Sequence, residues 1–270
     1  MSEPDEYLLG TDAGELRRLG FQHQVWIREA ADAWERGGFA PGHHILDLGC
    51  GPGYATLDLA RLVAPGRVRA VDVSARFVDE LRRRAAALRV ENVDGEVQDV
   101  EALELPGAAF DGAYARWVLC FLRDPAAVVA RVARALRPGA RFVVQDYAHY
   151  AALQLAPADP AFRTVVDAVV RSWREGGGDP DVGARLPRMM EDAGLRVVSV
   201  TPLARIARPG DALWEWPRTF FDNFLPVLVE NGYLVEEERA AFDHLWAARS
   251  ADPAAYFATP PMTVVVGERR

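Results

Sequence analysis

The sequence has 270 residues, half of them hydrophobic, and a formal net charge of −8. That length suits one α/β core with an elaborated C-terminal part and is short for two ordinary domains with a linker. The acidic balance argues against a nucleic acid partner, because phosphate binding needs clustered positive charge, and the basic run Arg82, Arg83, Arg84 reads as a solvated helix face.

The first ten residues are acidic and carry no apolar leader region. Residues 15–36 place apolar side chains at helical spacing and predict one or two helices that cap a sheet. From residue 44 to 147, short apolar runs alternate with helical patterns, the signature of consecutive βαβ units and a parallel sheet. Strands are expected at 45–48, 68–73, 93–97, 110–115 and 141–147, with helices at 54–63, 76–88 and 125–136. Arg137, Pro138 and Gly139 stop the last of these helices. Beyond residue 147 the pattern changes. Helices are expected at 161–175, ended by Gly176 to Gly178, and at 186–193, then a strand at 197–200. Two further helices, 211–231 and 235–249, precede a β-rich run at 262–267 suited to a closing strand. The reading is a single domain over 1–270: a helical cap over 1–40, a ligand-binding core over 41–147, and acceptor-side helices with closing strands over 148–270. No stretch reaches the run of about 18 apolar residues that a membrane span needs, so a cytoplasmic protein with no membrane partner is expected.

All 31 basic residues are arginine. The absence of lysine removes a P-loop lysine, a Schiff-base lysine and the lysine that many reductases set beside their tyrosine. Cys50 and Cys120 cannot build a disulfide framework, and five scattered histidines offer no zinc spacing, so no metal site is expected.

The strongest signal runs from Ile45 through Asp47, Gly49, Cys50, Gly51, Pro52 and Gly53: a strand, three alternate glycines, then a helix from Tyr54. Glycines let a ligand approach the backbone, and the helix start offers unpaired N–H groups with partial positive charge. A dinucleotide fingerprint would place its third glycine where this chain has Tyr54. Asp72 and Val73 end the second strand about twenty residues later, where an acid can accept two ribose hydroxyls. Gln98, Asp99 and Val100 end the third strand, where an acid can accept from an adenine amine and an apolar side chain can flank the base.

Residues 41–147 resemble the class I S-adenosylmethionine-dependent methyltransferases. Asp47 to Gly53 stand as the family's glycine motif, Asp72 as the acid after it, and Gln98-Asp99 as the adenine position; Phe110-Asp111, Leu122 to Pro125 and Arg134 to Gly139 are similar to the later motifs in order and spacing. The resemblance implies a Rossmann-like three-layer sandwich: a mostly parallel seven-stranded sheet with an antiparallel last strand, plus extra C-terminal helices forming a lid. It implies S-adenosylmethionine as cofactor, S-adenosylhomocysteine as its product, and Ala115, Arg116 and Trp117 facing the methionine part. The stretch Tyr7 to Gly10 with Glu15 to Leu19 and Gln22 is similar to a segment that closes over the cofactor in small-molecule methyltransferases, which adds Tyr7 and Gln22 as cofactor contacts.

Methyl transfer from a sulfonium is an in-line displacement, so the protein has mainly to position and desolvate. Trp173, Trp214, Trp216, Phe220, Phe221 and Phe224 could form a lid over an apolar or aromatic small-molecule acceptor, in a monomer or homodimer. His149 is the expected general base, with Tyr147 and Tyr150 beside it and His23 as another candidate; Arg116 could hold an acidic group of the acceptor. The fourth strand lacks the acidic ligand of a metal-assisted catechol site. Two rivals share the sequence features: a nicotinamide-dependent reductase, and a cofactor-binding regulator without turnover.

Overall fold

A computed structural model describes residues 13–270. Its first helix, α1 (Ala13–Arg36), turns Trp26, Ala30, Ala33 and Trp34 inward at helical spacing. The βαβ succession follows: β1 (His44–Leu48), α2 (Tyr54–Val63), β2 (Arg67–Asp72), α3 (Ala75–Leu88), β3 (Val93–Val97), β4 (Phe110–Arg116), α4 (Pro125–Ala135) and β5 (Leu136–Tyr147). The central strands β1 and β4 are short, mostly buried runs because both sheet faces are covered there, whereas the edge strand β3 buries none of its residues. Four residues of β1 and five of β4 are buried. Ser74 caps α3 and Asp124 caps α4, each accepting from a backbone N–H three residues on, at 3.2 Å and 2.9 Å. The expected stop at Arg137 to Gly139 acts earlier: α4 ends at Ala135, and β5 already begins at Leu136.

The rest of the chain contributes β6 (Gln154–Ala156), α5 (Pro160–Glu175), α6 (Leu186–Asp192), β7 (Leu195–Leu203), β8 (Ile206–Ala207), α7 (Ala212–Glu230), α8 (Glu236–Ser250), β9 (Tyr256–Ala258) and β10 (Met262–Arg269). The large sheet has seven strands in the order β3-β2-β1-β4-β5-β10-β7. Neighbours from β3 to β5 are parallel, and β10 runs antiparallel to both β5 and β7. Helices α1, α2 and α3 cover one face and α4 and α6 the other. The strand order reverses between β1 and β4, which opens a crevice at their carboxyl ends.

A second sheet, β6-β9-β8, was not legible in the sequence; strands of two or three residues show no period. It gathers three connections beside the large sheet, and α5, α7 and α8 pack together there. Of the six aromatics expected in a lid, Trp214, Trp216, Phe221 and Phe224 are buried core, whereas Trp173, equally buried, and the half-buried Phe220 line the crevice. No described helix is long and apolar enough to cross a membrane.

Candidate active site

A cleft of about 590 Å³ opens at the carboxyl ends of β1, β2 and β4. Asp47, Gly49, Cys50, Gly51, Asp72, Val73, Asp99, Val100, Arg116, Trp117, Gln22 and Tyr147, each expected from the sequence, line it. Gly53, Gln98 and His149 do not, and Tyr7 lies outside the described residues.

The glycine loop divides its labour. Gly49, Gly51 and Gly53 all have positive φ, at 61°, 54° and 82°. A β-carbon on Gly51 would meet nothing within 4 Å, whereas one on Gly49 would strike Val118 and one on Gly53 would strike Leu81. Gly53 therefore lets α3 pack against the loop and caps α2 without a side-chain hydrogen bond. Gly51 is the residue whose bare backbone faces open space.

Asp72 is bound to that loop. Its Oδ2 accepts from the Gly51 N–H at 2.8 Å and its Oδ1 from the Ser74 N–H at 2.9 Å. Burial raises its pKa above the ordinary carboxylate value, against the pull of these two hydrogen bonds. Asp99 is exposed at the mouth and accepts from the Glu101 N–H at 2.8 Å, with Val100 buried next to it. Gln98 turns the other way, donating to Glu96 at 3.0 Å, and Glu96 is itself paired with Arg69.

On the cleft floor, Asp47 is fully buried and accepts from Thr56 Oγ1 at 2.7 Å. Burial pushes its pKa up to about 7, while the Thr56 hydrogen bond and the charge of Arg116 act in the opposite direction. Arg116, the last residue of β4, has Nη2 3.1 Å from His23 Nδ1, and its Nη1 is buried without a partner. Burial also pushes the Cys50 thiol up, which makes it an unreactive apolar lining group.

The opposite end of the cleft is aromatic. Trp117 is held in the left-handed region at φ 54°, an arrangement a bulky residue adopts only when its surroundings compel it. Here Trp117 stacks on Tyr147 with centroids 6.2 Å apart and on Trp216 at 6.0 Å, and its indole N–H points at Met262 Sδ at 3.2 Å. Phe121, Trp173 and Phe220 continue the wall. Gln22 fastens α1 to α7: its Oε1 accepts from Trp216 Nε1 at 2.9 Å and from Arg18 Nη1 at 3.1 Å.

His149, the expected base, is not among the residues that line this space. Its side chain is 61% exposed, next to Asp181 at 3.5 Å, because β5 ends at Tyr147 and the chain turns outward. Tyr147 lines the cleft, but burial drives its pKa well above the ordinary phenol value. Sequence reading did not foresee Arg18, Tyr54, Phe77, Glu101, Phe121 and Arg123 in the lining. Arg18 and Arg123 lie within stretches that resemble family segments but were not singled out there, while Phe77, Glu101 and Phe121 come from helix faces and loops that carry no motif.

The strand order, the antiparallel β10 and the glycine loop after β1 define the class I, Rossmann-like methyltransferase fold. Residues 45–139 match the family described as methyltransferase domain. The chain is 32% identical over 242 residues to a 37.1 kDa protein in transposon TN4556 of Streptomyces fradiae, covering 84% of this chain and 63% of that one. It is 29% identical over 178 residues to the O-methyltransferase cnsE of Penicillium expansum, covering 65% of this chain and 60% of that protein. It thus spans about three fifths of the length of these curated relatives. Its fold is similar to that of geranyl diphosphate C-methyltransferase from Streptomyces coelicolor A3(2), solved with Mg2+, geranyl diphosphate and S-adenosyl-L-homocysteine: TM-score 0.61, 18% identity, 92% of this chain and 79% of that one.

Proposed function

We propose that this chain, read as one methyltransferase domain over 1–270, transfers the methyl group of S-adenosylmethionine to a small molecule with an apolar or aromatic reactive end. The observation that carries the reading is the continuity of one cleft from the Gly51–Asp72 junction to the Trp117 wall. Its residues suit the cofactor: a loop open to backbone approach at Gly51, a fixed acid at Asp72 and an unpartnered guanidinium nitrogen at Arg116.

In this reading Asp72 accepts the ribose hydroxyls, Val100 and Asp99 flank and hold the adenine, and Asp47 and Arg116 serve the amino-acid end. The cofactor, when bound, supplies a methyl group activated on a sulfonium. Trp117, Tyr147, Trp173 and Phe220 exclude water and orient the acceptor against that methyl, which lowers the barrier by alignment and desolvation. Among the described residues the acidic groups that line the cleft are Asp47, Asp72, Asp99 and Glu101.

Calorimetric titration with S-adenosylmethionine, S-adenosylhomocysteine and NADPH tests the cofactor, and transfer of a labelled methyl group to a panel of phenols, amines and isoprenoids tests the acceptor. Saturable binding of the two sulfur nucleotides is expected. Binding of NADPH alone would overturn the reading.

A further inference from the structure

Three side chains from three elements form a file of hydrogen bonds that ends at the cleft. His23 of α1 is buried, with Nε2 3.0 Å from Asp58 Oδ2 on α2 and Nδ1 3.1 Å from Arg116 Nη2 at the end of β4. A guanidinium keeps its protons, so the contact with Arg116 is a hydrogen bond donated by Nη2 to an unprotonated Nδ1. The one proton of the neutral ring then stands on Nε2 and is donated to Asp58. Burial holds the imidazole pKa below its ordinary value, which favours the neutral ring. Arg61 fixes the other oxygen of Asp58 at 2.8 Å.

The consequence falls on Arg116. Its Nη2 is engaged with His23, while Nη1 stays buried and unpartnered in a side chain that lines the cleft. Strand order is β2-β1-β4, so Asp72 and Arg116 flank the glycine loop from opposite sides, two strand spacings or about 10 Å apart. A ligand whose ribose lies on Asp72 extends its amino-acid end toward Arg116, and a guanidinium edge is a natural receptor for a carboxylate.

We infer that His23, braced by Asp58, is a positioning residue that holds Arg116 with Nη1 presented to the carboxylate of the cofactor's amino-acid end. The inference rests on the reading of the cleft as an S-adenosylmethionine site. His23 touches no ligand; it acts by fixing one face of the guanidinium so that the other face is already oriented when the carboxylate arrives.

The test measures binding, not turnover. S-adenosylhomocysteine and its decarboxylated analogue, S-adenosyl-3-thiopropylamine, are titrated by calorimetry into the wild-type chain and into His23→Leu, His23→Asn and Asp58→Ala. The analogue keeps the nucleoside, the thioether and the amine, and lacks only the carboxylate. His23→Leu is expected to bind S-adenosylhomocysteine about tenfold more weakly, the size of one lost hydrogen-bond arrangement, and the analogue as tightly as the wild type does. His23→Asn, whose amide oxygen can replace Nδ1 as acceptor, should recover most of the loss. Asp58→Ala, on the half-exposed side of the file and therefore safe for folding, should show a smaller loss with the same selectivity. Equal weakening toward both ligands, no weakening, or Asn behaving like Leu would each overturn the inference. So would a wild-type chain that does not discriminate the two ligands, a result that leaves the cofactor reading intact. A wild-type chain that binds neither ligand removes the cofactor reading and this inference with it.

Discussion

The backbone N–H of Gly51 donates to Asp72 Oδ2 at 2.8 Å, joining the loop after β1 to the end of β2. The bond makes the acid part of the loop rather than a neighbour of it, so its remaining lone pairs are held in a fixed direction. Replacing Asp72 by Ala is expected to weaken S-adenosylhomocysteine binding by about 1.5–3 kcal/mol, the range for a hydrogen bond to a charged group. Calorimetry checks it, and an unchanged affinity would take Asp72 out of the site.

Gly51 and Gly53 should separate binding from folding. A methyl group at Gly53 strikes Leu81 from a backbone at φ 82°, so Gly53→Ala should lower unfolding stability by about 1–3 kcal/mol. Gly51→Ala meets no protein atom, and its β-carbon occupies space at the cleft surface. It should lose more affinity than stability. Urea unfolding set against titration of each variant decides the matter, and the opposite ranking would contradict the assigned division of labour.

The buried Asp47 gives stability a specific pH profile. Its pKa is raised from the model-compound value of 3.8 to about 7 in the folded chain, chiefly by burial. The unfolded chain therefore loses the proton first, and the contribution is fully present below 3.8 and disappears as pH rises through about 7. Asp146, raised to about 6 by burial, acts with the same sign over the lower part of that window. Asp47→Asn should flatten the fall in stability between these limits, measured as urea midpoints across pH. A steeper fall in the variant would contradict the assignment. The positive groups of S-adenosylmethionine favour ionised Asp47, so binding near pH 7 should release a proton, read from calorimetry in buffers of different ionisation enthalpy.

His149 and Trp173 make a contrasting pair. His149→Ala removes an exposed ring outside the cleft and should change stability by less than about 0.5 kcal/mol and methyl transfer by less than about threefold. Trp173→Ala removes part of the aromatic wall and should raise the acceptor KM by about tenfold or more, with the affinity for S-adenosylhomocysteine unchanged. A large loss of activity in His149→Ala would restore it as a base.

The sheet and the glycine loop were legible because their causes are local. Val71 and Leu48 are apolar since both faces of their strands are covered, and Gly51 and Asp72 sit at the spacing a βαβ turn imposes. Gln98 and Asp99 show the limit: neighbours at the end of one strand point to opposite sides, and only the Glu96–Arg69 pair decides that Gln98 turns away. The outward position of His149 is not legible either, because nothing in the residues around it tells where β5 releases the chain. His23 and Arg116 are 93 residues apart, and the left-handed backbone of Trp117 depends on Tyr147, Trp216 and Met262 together. Such contacts have no footprint in periodicity.

The placement of β10 also sets an order on synthesis. Among the described residues β7 pairs in the large sheet with β10 alone, which the ribosome makes roughly sixty residues later. Among the described residues strands β1 to β5 pair with one another apart from the β5 edge that receives β10, so the cofactor half can assemble while translation continues. In that interval the exposed edge of β5 and the unpaired β7 are the segments a nascent chain has to shield from its neighbours.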